Sequence, residues 1–338
     1  MRDFNLIRYA LDNEWALLPS KIAQMMGALA YHASGQKHTP EEIQALAGES
    51  APSEPNKAGA TAIIRLCGVI SHRGGGMEES SGGASVERFT SQFRAVMTNN
   101  AIGAVILDVD SPGGTVAGVQ EIVAEMLAMR GKKPVVAVAN SLMASAAYWI
   151  ASAADEIVSI PSGTVGSIGV FSAHQDLSAA LEKEGVKVTL ISAGKFKTAG
   201  NPFEPLSDDE KAIIQARVDE AYGHFVKDVA AGRKVSVSDV KGGYGQGRAV
   251  SAKEALAAGM IDRISTLDQT VARLSTAQGR SRVGMKAETE TGRFVKVSDE
   301  LLADTAVEVD ILGAVVPLAI DEMMKAEDED RARRFRVL

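Results

Sequence analysis

Apolar residues recur at two spacings along this chain, and the switches between them divide it into elements. Runs rich in Val, Ile and Leu at 63–70, 104–109, 135–139, 156–160 and 186–191 read as strands. Between them the apolar positions fall at helical spacing. Ser85 caps a helix reaching about residue 97, and 116–129 places Val119, Ile122, Val123 and Met126 on one face. Residues 145–153 and 177–183 also read as helices. Ser207-Asp-Asp-Glu210 is a capping box opening a long amphipathic helix to about 229. A further helix follows Ser251, stops at Gly259 and leads into Ile261-Asp-Arg-Ile264. Repeated βα units of this kind predict an α/β fold with a largely parallel sheet.

The ends differ from this middle. Leu18, Ile22, Met25, Met26 and Leu29 share a helical face, with Pro19 as a helix start and Gly35 as a stop. Thr39-Pro-Glu-Glu begins a second short helix, and residues 49–59 have the composition of a linker. Past residue 276, Gln278-Gly-Arg-Ser-Arg-Val-Gly284 is another linker. The segment 311–320 is apolar but holds Pro317, and 321–336 is a charge run. That tail reads either as poorly ordered or as a helix docking on a partner. The expected division is a helical arm with linker at 1–58, a main domain at 59–276, and a linker with charged tail at 277–338.

Charge and composition narrow the function classes. A net charge of −7 gives no reason to expect nucleic acid as a partner. The single cysteine, Cys67, excludes an internal disulfide framework and a cysteine-based zinc site. Five scattered histidines show no metal-ligand spacing, so no metal or other cofactor is expected. No secretory signal or membrane-length apolar run is found, which predicts a soluble protein made in the cytoplasm.

The chemistry centres on Ser145. It stands where the 135–139 strand turns into a helix, beside free first-turn N–H groups and the positive helix end. Those donors suit a developing oxyanion, although a lone serine there is also a plain N-cap. Asp108-Val-Asp-Ser-Pro-Gly-Gly114 ends a buried strand with adjacent glycines that let backbone approach a ligand closely. Gly163-Thr-Val-Gly-Ser-Ile-Gly169 is a glycine-punctuated turn, and Gly194-Lys-Phe-Lys-Thr-Ala-Gly200 carries two lysines. Each taken alone reads as a structural turn or a solvated loop. The glycine-rich 73–83 stretch lacks the Gly-Lys-Ser/Thr of a phosphate cradle and reads as a loop over a site.

Taken in order, five motifs resemble the signal peptide peptidase A family (S49) of serine peptidases, which includes phage capsid maturation proteases. They are Asp110-Ser-Pro-Gly-Gly114, Ala144-Ser-Ala-Ala-Tyr-Trp-Ile-Ala151, Gly166-Ser-Ile-Gly169, Gly194-Lys-Phe-Lys-Thr-Ala199 with Asn201-Pro-Phe203, and Gly247-Arg-Ala-Val-Ser-Ala-Lys-Glu-Ala-Leu-Ala-Ala-Gly-Met-Ile-Asp262. The resemblance implies a ClpP/crotonase-like fold and a Ser–Lys dyad. Ser145 would be the nucleophile and Lys197 the general base, with Lys195 a rival two positions early. Gly113 or Gly114 and Ala146 would supply oxyanion N–H groups, and Ser167 would help hold the lysine. Phe196, Phe203 and the Tyr148–Trp149 pair are candidate apolar walls that would keep that lysine neutral.

This chain has Ala146-Ala147 where signal peptide peptidases usually have Gly-Gly, and the expectation is that it is without their membrane anchor, since no apolar run of that length is read in it. A chain read as soluble, with a helical N-terminal arm and a short charged tail, directs the expectation to the phage head protease branch. The expected partners are capsid and scaffold proteins as substrates and further copies of the chain in a ring, in the host or bacterial cytoplasm or at the prohead. The alternatives are a bacterial quality-control peptidase and an inactive assembly protein.

Overall fold

The computed structural model describes residues 15–21, 60–73, 83–281 and 283. The helices expected at 22–35 and after Thr39, the 49–59 linker, most of the glycine-rich 73–83 stretch and the C-terminal tail lie outside these residues.

The described elements run β1 (Trp15–Leu17), β2 (Ala60–Cys67), β3 (Ile70–Ser71), β4 (Ala84–Ser85), α1 (Val86–Thr98), β5 (Ile102–Ser111), β6 (Gly113–Thr115) and α2 (Val119–Ala128). They continue through β7 (Val135–Ala144), α3 (Ala146–Ser152), β8 (Glu156–Ser159), β9 (Thr164–Gly166), α4 (Ser178–Lys183), α5 (Asp208–Arg233) and α6 (Val237–Gly243). β10 (Ala249–Ser251), α7 (Ala252–Ala257), β11 (Arg263–Ile264) and α8 (Leu267–Leu274) follow.

The main sheet is ordered β2-β5-β7, and β7 continues to β8 along its first half and to β9 along its second. β2, β5, β7, β8, β9 and β11 pair in parallel, and only the β9–β10 pair is antiparallel. The largely parallel α/β sheet expected from the βα alternation is therefore present. One sheet face packs on α1, α2, α3 and α5, through residues such as Phe93, Ile122, Trp149 and Phe225. The other packs Ile106, Val138 and Val158 on Leu274 of α8. Burial on both faces explains why β5 and β7 read as unbroken apolar runs. A smaller sheet, β1-β6-β3-β4, stands at the carboxyl ends of β5 and β7.

Three local expectations are corrected. Trp15–Leu17 is a strand rather than part of a helix, and residues 19–21 form a helical turn that starts at Pro19. Residues 164–166, read as a turn, form β9. Residues 186–191, read as a strand, are irregular: they find no partner strand among the described residues, and Val186, Val188 and Ile191 are exposed, Ile191 by 96%. A β-prone stretch needs a ladder partner to become a strand.

Candidate active site

Strand β7 ends at Ala144 and helix α3 begins at Ala146, which leaves Ser145 alone to make the corner. Its backbone sits at φ 56°, ψ −120°. A side chain held at such dihedrals costs roughly 1–3 kcal/mol and persists only where the surroundings enforce it. Here they do. The Ser145 N–H donates to the Gly166 carbonyl at 2.7 Å, and the Ser145 carbonyl accepts the first helical bond from Trp149 N–H at 2.9 Å. The hydroxyl itself has only a long 3.5 Å contact to the Gly169 carbonyl, so it is weakly committed.

Helix α3 is buried along its whole length, which makes the corner rigid. Trp149 stacks on Phe225 of α5 with ring centroids 4.5 Å apart, and its indole N–H donates to Asp228 at 2.9 Å. The Tyr148 hydroxyl donates to the Met260 carbonyl at 2.8 Å, and burial pushes its phenol far above the ordinary range. The last carbonyls of α3 would lack partners. The Arg130 guanidinium supplies them, donating to the carbonyls of Ser152, Ala153 and Ala154 and to Gly232 on α5.

The glycine turn approaches this corner from the other side. Gly113 has φ +98°, and a Cβ on it would lie 2.9 Å from Ser145 Cβ and 2.2 Å from the Ala16 carbonyl oxygen. A Cβ on Gly114 would lie 1.7 Å from the Ile70 carbonyl oxygen. Only glycine fits at either position. Ser111 shapes the turn: its hydroxyl donates to the Gly68 carbonyl at 2.6 Å and accepts the Gly113 N–H at 3.2 Å. Ala146, the first residue of α3, offers an N–H that no helical carbonyl reaches. Ser167 follows the residue that holds the Ser145 backbone, is buried, and has φ 53°. Its own N–H donates to the Arg248 carbonyl at 2.9 Å. Beside Gly169 a cleft of about 270 Å³ opens, lined by Ile168, Val170, Val218, Tyr222 and Gln246 among others.

Ser145, Gly113, Gly114, Ala146 and Ser167 thus surround one corner. Lys197 lies apart in an exposed turn, and among the described residues no hydrogen bond joins it to Ser145. Lys195 is engaged elsewhere, with Nζ 3.3 Å from Asp209 and 4.6 Å from the Phe196 ring centroid. Tyr148 and Trp149 fix α3 in the core, and Phe196 is 44% exposed with Lys195 over its ring; among the described residues no aromatic ring is in cation contact with Lys197. Two contributors have no expectation behind them. Ser111 stood within a quoted motif without an assigned role, and its bond to Gly68 spans 43 residues. Strand β1 was hidden in a helix-like pattern.

Residues 128–280 match the profile of Peptidase family S49. The chain is 32% identical over 272 residues to the capsid assembly protease C of Escherichia phage lambda, covering 80% of this chain and 60% of that protein. It is 31% identical over 216 residues to the head-tail preconnector protein GP5 of Enterobacteria phage P21, covering 64% and 43%. Protease 4 of Haemophilus influenzae is 29% identical over 257 residues, covering 74% and 40%. The chain therefore spans less than two thirds of each of these relatives. Among the described residues, no helix is long and apolar enough to cross a membrane.

Proposed function

From the premise that the chain carries a peptidase family S49 domain, we propose that it is a serine endopeptidase in which Ser145 is the nucleophile and Lys197 the general base. The observation that supports this most is the strained Ser145 corner facing Gly113, with the open N–H of Ala146 alongside. In this reading a neutral Lys197 takes the Ser145 proton as Oγ attacks the substrate carbonyl carbon. The N–H of Ala146, with that of Gly114, or of Gly113 once it leaves the Ser111 hydroxyl, receives the oxyanion. The lysine then returns its proton to the leaving amine, and an ester to Ser145 remains. Lys197 next deprotonates a water that attacks this ester, and protonates Oγ as the ester bond breaks.

A lysine acts as a base most readily where burial favours its neutral form. The surroundings of Lys197 favour a second copy as the source of that setting. Val186, Val188, Ile191 and Phe196 are all exposed on the same stretch of chain, an apolar surface suited to burial between copies. The name of the lambda relative, a capsid assembly protease, supports capsid proteins as substrates, and the reading extends to scaffold proteins cleaved during prohead maturation in the bacterial cytoplasm.

A fluorophosphonate probe tests the chemistry. It labels the wild-type protein at Ser145, leaves Ser145→Ala blank, and labels Lys197→Ala at least a hundredfold more slowly with unchanged thermal melting. Inactivity of Lys195→Ala with a fully active Lys197→Ala would move the base to Lys195. Mass spectrometry of co-expressed capsid and scaffold proteins tests the substrate assignment; intact masses throughout would remove it.

A further inference from the structure

Ser145 is wholly buried, yet a nucleophile must meet a peptide carbonyl. The chain's own strand β1 lies against it. β1 runs antiparallel to β6, with Leu17 opposite Gly113, Ala16 opposite Gly114 and Trp15 opposite Thr115. On its other edge Trp15 and Phe171 exchange backbone hydrogen bonds, N–H to carbonyl, at 2.9 and 3.0 Å. The Leu18 N–H donates to the Pro112 carbonyl at 3.0 Å. β1 is thus a middle strand. One neighbour is the turn bearing Gly113, and the other follows Gly169, whose carbonyl meets the Ser145 hydroxyl. The Ala16 carbonyl oxygen and Ser145 Cβ both lie within 2.9 Å of the point where a Gly113 Cβ would stand.

An extended peptide therefore already lies along the nucleophile, held by backbone groups that would bond any sequence. We propose that Trp15–Leu17 is a built-in competitor: it occupies the seat of the substrate's extended strand, and a peptide reaches Ser145 only by displacing it. This rests on the reading of Ser145 as the nucleophile. The occupant is short. Three residues hold it, against ten in each of β5 and β7, so it can leave while the main sheet stays paired. Being tethered, it competes at an effective concentration on the order of millimolar. It should therefore raise the apparent KM for unfolded peptide segments far more than it lowers kcat. Trp15, Ala16 and Leu17 are all buried, so the seat suits a segment with apolar side chains and a small residue opposite Gly114.

The test uses the full chain and a peptidyl fluorophosphonate. Leu17→Asp places a carboxylate where the strand is buried and favours its release. It should react at Ser145 at least tenfold faster than wild type, and its KM for an unfolded peptide should fall at least tenfold with kcat changed less than twofold. Because that variant disturbs packing, a second one locks the strand instead. Trp15→Cys with Phe171→Cys joins a directly paired position, where Cα spacing permits a disulfide. The oxidised form should not react, and reduction of the same sample should restore labelling. Cys67 stays out of this exchange because burial, assisted by Asp108, pushes its thiol up to about 11. In wild type, labelling should speed hydrogen exchange at the Trp15 and Leu18 amides at least tenfold and leave those of Val105 to Leu107 unchanged. Equal labelling of wild type, Leu17→Asp and the oxidised double variant, with amide protection unaltered, would overturn the competitor while leaving Ser145 as the nucleophile. No labelling in wild type, Leu17→Asp or the reduced double variant removes the nucleophile reading itself, and the competitor with it.

Discussion

Ser145, the proposed nucleophile, holds a backbone conformation that its side chain disfavours. That combination makes a separable prediction. Ser145→Ala keeps the Cβ and therefore the strain, whereas Ser145→Gly removes it. Both should be catalytically dead, but the glycine variant should be the more stable by about 1 kcal/mol, read as a higher urea midpoint. Equal midpoints would mean that the corner is relaxed. Asp108 is a second residue under tension. It is nearly buried, its Oδ1 has no partner among the described residues, and Arg65 reaches the other oxygen only at 3.8 Å. Burial pushes its carboxyl above the ordinary range, partly offset by a hydrogen bond from Asn140 and by Arg65. A carboxyl raised in the folded state favours folding while protonated, and that contribution is lost as pH climbs through its folded value. Asp108→Asn should accordingly be more stable than wild type at pH 7, with the advantage shrinking towards pH 4. Urea melts at the two values check the sign, and an advantage that grows on acidification would contradict it.

At the scale of elements, what was legible depended on whether the pattern was closed within the element. Capping boxes, apolar runs and helical stripes are local, so α1, α2, α5, β5 and β7 stand close to where the periodicity puts them. Trp15–Leu17 and residues 164–166 are strands because of what they pair with, through β6 and Phe171 in one case and β7 and β10 in the other. Nothing in three residues announces a partner a hundred positions away. Residues 186–191 make the converse case, with strand-like composition and no ladder among the described residues. For the corner, the positions of Ser145 and Gly113 were readable because a strand–helix junction and adjacent glycines are local signals. The Ser111 brace was not, since it depends on Gly68 lying beside it. The corner's rigidity is likewise non-local and sits in α3. Trp149 is fully buried against Phe225 and bonded to Asp228. Trp149→Ala should cost about 3–5 kcal/mol in chemical denaturation and lower kcat as the corner loosens. Lost stability with full activity would show that the corner is held without α3.

At the scale of the molecule, the proposed dyad has to account for an exposed Lys197 and a buried Ser145. One chain leaves Lys197 outside the corner formed by Ser145, Gly113 and Ala146, on a stretch whose apolar side chains face solvent. A symmetric assembly would solve both problems, since repetition of one heterologous contact around a ring places the same stretch of each copy against its neighbour. If Lys197 reaches the neighbouring copy's Ser145, every active site needs one residue from each of two chains. Ser145→Ala and Lys197→Ala are then each inactive alone but complementary when mixed. After subunit exchange at equal amounts, about a quarter of the sites should combine an intact serine with an intact lysine, and activity should recover to about that fraction. Ile191→Asp should abolish the recovery, because it places a charge at an almost fully exposed apolar position that the assembly would bury. A mixture that stays inactive while light scattering shows exchanged oligomers would locate both residues of the dyad in one chain. The 171–206 stretch would then have to fold onto its own protomer to bring Lys197 to Ser145.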